Sequence, residues 1–570
     1  MVGPCGVTNE AIFEGTDIDF DQITLGKWQF VDRRMAVHHT FVSADAGLPR
    51  EGGEPLHAVA QEATLGIVFP QGFADPPVEL GRGDPRAKPV HDHLVHFDHN
   101  LGRSSALVNF LGIQHRDRTH GTVIVPIRVA SSDMSRLLIR GGHCVRPDGV
   151  TQENILIEDG RFLDFDPPAT VHTDDVIDAS GKHVFPGLID DQVHFREPGL
   201  THKEDLRTGS MAAAKGGVTA FMEMPNTSPN TTSAGALSAK LARAKRSCVV
   251  DYGFFAGATG ENTAWLREET RACGIKIFIG SSTGDLLVDE QEALEEIFAQ
   301  TCLPIAAHCE DETLVRANAA ALDGGRVISD HSKIRNAEAA AKSAARTIDL
   351  ARRHKHRFHL LHVSSAAECD VLRARPEWVT AEACPHHLFF DTTDYDRLGS
   401  RVQMNPALKS PEDREAVWAA LHDGTIELLA TDHAPHTLEE KDQPYPGSPS
   451  GLPSIEWLLP LMIDAASDGR CTFEQIAAWG AANPAKVWDL KGKGGLKPGL
   501  DADFSIVDTD AESKVQDGSQ VTKCNWSPWH GSTLRGMVCS TWVRGLRAYH
   551  EGQFADPGSG QPLQYERGEA

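Results

Sequence analysis

The eleven cysteines of this 570-residue chain include no CxxC pair, which excludes a zinc ribbon and offers no disulfide framework. Cys273, Cys302, Cys309 and Cys384 lie in or beside apolar runs and read as small buried hydrophobes. No apolar run approaches the roughly 18 residues that a membrane helix needs. The N-terminus lacks the basic-then-apolar layout of a secretory signal, so the expected location is the cytoplasm. Basic excess is missing too, with 55 Lys and Arg against 80 Asp and Glu and a formal net charge of -25. A basic face is what phosphate-backbone binding requires, so a small-molecule substrate is expected and nucleic acid is not.

The length exceeds one ordinary domain but suits an α/β barrel with accessory parts. Short strands with polar turns are predicted at 137–142, 154–158 and 176–179. The apolar run 184–189 then reads as a buried strand leading to His194. Seven further apolar strands follow at 218–224, 249–255, 275–279, 304–308, 358–363, 379–383 and 426–431. Helical segments such as 211–215, 289–300 and 336–353 separate many of them. Alternation of this kind implies a parallel sheet, and eight strands imply a (β/α)8 barrel with its active site at the strand C-termini.

Polar residues fall where such a site lies. Side chains alternate across a strand, so Asp190, Gln192 and His194 share one face while Asp191 and Val193 point the other way. Lys276 lies within the fourth strand, His308 ends the fifth, and His362 lies near the end of the sixth. Asp432, His433 and His436 follow the eighth. Histidine and carboxylate are the usual ligands of zinc and its neighbours, and a catalytic site keeps a position open for water. A lysine buried among them is costly unless salt-bridged or chemically modified. Arg196 is a candidate anion clamp, with a salt bridge to Glu197 as its bland alternative.

The motifs PGLIDDQVHFREPG, MEMPNT, GIKIF, AAHCEDE, HLLHVSS, CPHHL, MNPALKS and TDHAPH stand in this order. Together they make residues 134 to about 550 resemble a class I dihydroorotase of the amidohydrolase superfamily. The resemblance implies reversible cyclisation of N-carbamoyl-L-aspartate to L-dihydroorotate in pyrimidine synthesis, by a metal-activated hydroxide. It implies zinc, one or two ions per subunit, bridged by Lys276 carboxylated from CO2. His308 and His362 would hold one ion, and His194 and Asp432 the other. Asp432 would also be the general acid and base. Arg196, Asn226, Asn405, His436 and backbone near Gly451 would contact the substrate, Arg196 and Asn405 through its α-carboxylate. A homo-oligomer is expected, and aspartate transcarbamoylase is a candidate partner. Two other readings are a non-catalytic scaffold for that partner and a hydantoinase-type enzyme.

One position departs from the resemblance. The family's HxH begins here with Gln192, whose carbonyl oxygen suits hard cations and is a poorer zinc ligand than imidazole. Gln192 is therefore either a metal ligand or a hydrogen-bonded residue of the barrel mouth. Glu310, Asp311 and Glu312 read as a solvated loop.

The domain layout expected is 134–183 and 491–550 as two parts of a small β-sandwich, 184–490 as the barrel, and 551–570 as a tail. Residues 1–133, rich in Gly, Pro, His and acidic residues, match no part of the pattern. They are expected to be a disordered extension or the translation of a misassigned start. The run HDHLVHFDHN at 91–100 contains its own HxH but has no apolar strand to position it, and is not read as a metal site.

Overall fold

The computed structural model describes residues 136–168, 170–280, 286–322 and 326–567, plus the backbone of five strands nearer the N-terminus. Three of those five, Trp28–Asp32, Met35–His39 and Gly66–Val68, form an antiparallel sheet; Phe110–Arg116 and Thr122–Arg128 form a hairpin. They fall in one of two units into which the chain divides, 1–130 and 131–570. The rest of the expectation for 1–133, including the run 91–100, lies outside the described residues.

Within the larger unit, parallel strand segments at eight positions close into a barrel. Leu188–Val193, Val218–Glu223 and Asp251–Phe254 pair in that order. The third position continues as Ala256–Gly257, which pairs with Ile275–Ile279. Ile305–Cys309, Phe358–Leu360, Val379–Ala383 and Leu428–Leu429 complete the run. Val193 bridges His433 in parallel, and the His194 N–H donates to the His433 carbonyl at 2.7 Å, which closes the ring. The barrel strands are buried and rich in β-branched and aliphatic residues, as parallel strands covered on both faces must be.

Helices between the strands carry ordinary local signals. Ala337–His354 begins at Asn336, whose side chain accepts from the Ala339 N–H, and ends in a basic last turn. Its alanines face inward, Ala339, Ala340, Ala344 and Ala351 all being buried, so helix and strands approach closely. Pro411–His422 starts with a Ser410–Asp413 capping box and proline in its first turn. Among the described residues, no helix is long and apolar enough to cross a membrane.

The run 184–189, read as one strand, is divided between two sheets. His183–Pro186 pairs antiparallel with Phe504–Lys514 and parallel with Arg136–Arg146, while Leu188 starts the barrel. The break falls at Gly187, where a Cβ would stand 2.2 Å from Thr219 Oγ1, so only glycine lets the strands approach there. The second sheet has nine strands and draws on both sides of the barrel, joining Arg136–Phe165 segments to Phe504–Phe554 segments. Its own core includes Ile139, Phe162, Val184, Phe504 and Trp542. Residues beyond 551 pack too, but against the barrel side: Pro562 bridges Tyr252, Tyr565 bridges Leu490, and Leu563 is buried.

Candidate active site at the barrel mouth

A cleft of about 660 Å³ opens beside the C-terminal ends of the barrel strands. All eleven residues singled out from sequence line it: Gln192, His194, Arg196, Asn226, Lys276, His308, His362, Asn405, Asp432, His436 and Gly451. Three of them, Arg196 at φ 64°, His362 at 38° and Asp432 at 44°, hold left-handed backbone that non-glycine residues rarely adopt. Such strain clusters at functional sites, where surrounding structure enforces it. Part of that enforcement is visible beside Asp432: the buried Asp190 carboxyl accepts from the Thr431 N–H at 3.0 Å and from the Thr431 hydroxyl. Burial pushes the Asp190 pKa up to about 7.

The polar groups fall into three sets. In the first, His194 joins Asn226 Oδ1 through Nδ1 at 2.6 Å and Asp432 Oδ1 through Nε2 at 3.1 Å. Gln192 Nε2 donates to the same Asp432 oxygen at 3.2 Å, while its carbonyl Oε1 is buried without a partner. Burial raises the Asp432 pKa, but the His194 hydrogen bond and charge outweigh it and hold the carboxylate below its ordinary range. Burial lowers the His194 pKa, and the Asp432 carboxylate beside it works the other way.

In the second set, His308 Nδ1 and His362 Nε2 face each other at 3.1 Å. His308 Nε2 is engaged at 2.8 Å by Glu310, which also pairs with Arg335. Glu310 therefore corrects the sequence reading of a solvated loop: it is fully buried. Against burial, which raises its pKa, Arg335 and His308 hold it far below the usual carboxylate range. Asp311 behind it caps the helix Glu312–Ala321, accepting from the Leu314 N–H. Lys276 lies between the sets with 1% exposure; among the described residues its ammonium has neither a hydrogen bond nor an ion pair and stands 4.6 Å from the centre of the Phe278 ring. Burial lowers its pKa to about 8.

The third set could grip an anion. Arg196 is buried and donates from Nε to the Pro435 carbonyl at 3.2 Å; among the described residues it pairs with no carboxylate. Its sequence alternative, Glu197, instead accepts from the Leu206 N–H and lies 3.6 Å from Arg243. His436 stands 3.3 Å from Arg196 and receives Lys203 Nζ at its Nδ1, 3.0 Å away. Burial, then these two cations, hold its pKa far below the usual range and keep the ring neutral. Asn405 Oδ1 meets His331 Nε2 at 3.0 Å. Gly451, at φ 132°, presses against the Ala434 carbonyl, which an added Cβ would meet at 2.4 Å.

Several residues escaped sequence reading. Lys441 is buried and donates to the carbonyls of Gln403, Pro449 and Gly451, pinning the loop around the cleft. Arg335, His331 and Tyr445 also line the cleft, from segments without a strand to announce them. Beneath it, Asp191, His359 and Glu382 bring metal-ligating atoms within 4.8 Å of one another. The HxxH spacing of His359 and His362 was a usable signal for the second of these.

The donors fit a metal ion. An unpartnered buried amide oxygen, two imidazoles meeting nitrogen to nitrogen, and a buried lysine with no ion pair among the described residues are each costly without a further partner. A cation bound between the amide oxygen and the imidazoles would relieve the first two.

A profile described as "Amidohydrolase family" matches residues 183–547. A dihydroorotase from Methanothermobacter thermautotrophicus is 33% identical over 406 residues, spanning 71% of this chain and 92% of its own. One from Methanosarcina acetivorans is 37% identical over 396 residues, 66% of this chain and 84% of its own. An allantoinase from Desulfitobacterium hafniense is 32% identical over 440 residues, 75% and 98% of the two chains. Among solved structures, an L-hydantoinase from Arthrobacter aurescens superposes with a TM-score of 0.72 at 27% identity, over 75% of this chain and 99% of that one. With the barrel, its mouth and these relatives in agreement, the chain belongs to the amidohydrolase family.

Proposed function

We propose that this protein is a dihydroorotase of class I, interconverting N-carbamoyl-L-aspartate and L-dihydroorotate. The observation that carries the reading is Arg196, a buried guanidinium in the cleft with no carboxylate partner among the described residues. Dihydroorotate has a ring carboxylate that this group, with His436 beside it and Asn405 on the same cleft wall, would bind. A hydantoin needs no such clamp.

One or two zinc ions would be held by His308, His362, His194 and Asp432 and bridged by a carboxylated Lys276, with Gln192 offering a carbonyl oxygen. A bound ion supplies Lewis-acid polarisation of the ring carbonyl and activation of water. The chain's own groups do the rest. The carboxylate clamp orients the ring so that its amide faces His308 and His362. Asp432 Oδ1 is occupied by His194 and Gln192, whereas Oδ2 has no protein partner among the described residues, so the travelling proton is carried at Oδ2. In ring opening that proton comes from water and goes to the ring nitrogen; in closure it returns. The strained backbone at Asp432 fixes the carboxylate in place beforehand.

We read the nine-stranded sheet, which also takes in His183–Pro186 and Gln553–Phe554, as the accessory β-sandwich expected from 134–183 and 491–550 beside a barrel of 184–490. A core shared by Phe162, Phe504 and Trp542 supports this. The likeness to an L-hydantoinase favours a second reading, hydrolysis of a cyclic amide without a carboxylate. The test is an assay of the zinc-loaded full chain, with bicarbonate, in both directions. Opening of dihydroorotate and closure of carbamoyl-aspartate are expected; turnover of hydantoin with neither reaction would replace the reading.

A further inference from the structure

We infer that Asp191, His359 and Glu382 form a second divalent-cation site inside the barrel, below the cleft and separate from the ligand set at its mouth. The three come from different barrel strands, the first, sixth and seventh, and are at most 1% exposed. His359 Nε2 stands 3.1 Å from Glu382 Oε2 and 3.6 Å from Asp191 Oδ2. Donors bound to one ion at about 2.1 Å and tetrahedral angles stand about 3.4 Å apart, so this spacing suits a shared ion.

Each donor is oriented by a further hydrogen bond, the arrangement that built metal sites use. His359 Nδ1 meets Thr380 Oγ1 at 2.7 Å, which leaves Nε2 for the carboxylates. Trp488 Nε1 donates to Asp191 Oδ2 at 2.6 Å, and the His362 N–H donates to Glu382 Oε1 at 3.1 Å. The other Asp191 oxygen, Oδ1, is fully buried and has no partner. Burial disfavours both carboxyls as free anions, and a divalent ion held between the three side chains would neutralise them where apolar packing cannot. One nitrogen and two oxygens suit zinc or manganese.

The trio is bordered on one side by a space other than the substrate cleft, with His359 on its wall. A second cleft of about 330 Å³ is lined by His359 and Thr380 together with Trp488 and the polar Arg357, Glu427 and Lys486. Asp191 adjoins Gln192, so the position that offers the mouth a weaker ligand stands next to the one that adds a carboxylate here.

The experiment is metal analysis of the full chain loaded with zinc and freed of excess, for wild type, Asp191→Asn and His308→Ala, with a zinc-edge anomalous map of wild-type crystals. The expected result is loss of about one zinc equivalent in Asp191→Asn, retention of that equivalent in His308→Ala, and an anomalous peak between the three side chains. An unchanged zinc content in folded Asp191→Asn, or a wild-type map without that peak at millimolar zinc, would overturn the inference and leave the trio neutralised by protons. Should Asp191→Asn fail to fold, the wild-type map decides. No readout involves substrate, so failure of the dihydroorotase reading and failure of this site are told apart.

Discussion

Glu310 shows how far a single side chain can act from the reacting atoms. Its carboxylate holds His308 Nε2, which turns Nδ1 toward His362, and Arg335 keeps that carboxylate charged. Glu310→Gln keeps the shape but loses the charge that selects one imidazole tautomer. Zinc affinity at the mouth is expected to fall roughly 10- to 100-fold, read by competition with a chelator. Unchanged affinity would mean that His308 needs no such support. The residue was hidden in the sequence because AAHCEDE reads as a strand running into three acids. Only tertiary packing shows that the first acid is buried, the second caps a helix and the third opens it. His194, His308, His362 and Asp432, by contrast, were legible because each closes or follows an apolar strand. The left-handed backbone of His362 and Asp432 was not legible, since nothing in residue identity at 362 or 432 requires φ above zero.

At the scale of elements, strand order and the barrel were readable from the spacing of apolar runs, whereas boundaries were not. The run 184–189 looked continuous because both sheets want the same apolar residues, and Gly187 separates them only through its closeness to Thr219. Residues 551–567 looked like a tail because their few apolar positions show no period, yet Leu563 and Tyr565 pack against Trp488 and Phe255 in one cluster. The loop carrying Gly451 was legible as a motif, but its anchor was not: Lys441 binds three of the surrounding carbonyls. Gly451→Ala would set a methyl group against the Ala434 carbonyl at a φ that L-residues avoid. A cost of about 1–3 kcal/mol is expected, spread between a lower Tm and a KM for dihydroorotate raised several-fold. Thermal unfolding and steady-state kinetics read the two parts, and a variant equal to wild type in both would contradict this role for the loop.

Across the whole molecule, the barrel and the nine-stranded sheet are tied by one buried cation. Lys493 reaches Asp251 of the third barrel strand at 2.6 Å and Asp503 and Asp501, beside the sheet, at 2.7 and 3.1 Å; Arg544 joins Asp251 as well. Lys493→Met leaves carboxylates buried without their counter-charge and is expected to cost about 3–5 kcal/mol, read by denaturant unfolding. Although burial lowers the Lys493 pKa, the three aspartates raise it above its ordinary 10.5. A raised lysine pKa stabilises the fold fully below pH 10.5, and the contribution is lost as pH rises through the folded value. Wild type is therefore expected to lose stability relative to Lys493→Met above pH 10.5, and parallel pH profiles would contradict the tie.

The carboxylate clamp is the claim on which the functional account turns, and its most direct test is substrate discrimination. The measurement is kcat/KM of the zinc-loaded chain for dihydroorotate and for dihydrouracil, the same ring without its carboxylate, in wild type and Arg196→Ala. Wild type is expected to prefer dihydroorotate by roughly 10⁴-fold, as sites with buried polar recognition groups do. The variant is expected to lose about 10²-fold or more on dihydroorotate alone, about 3 kcal/mol of transition-state binding. Equal turnover of the two rings by wild type, or a variant that loses activity on both alike, would contradict the account.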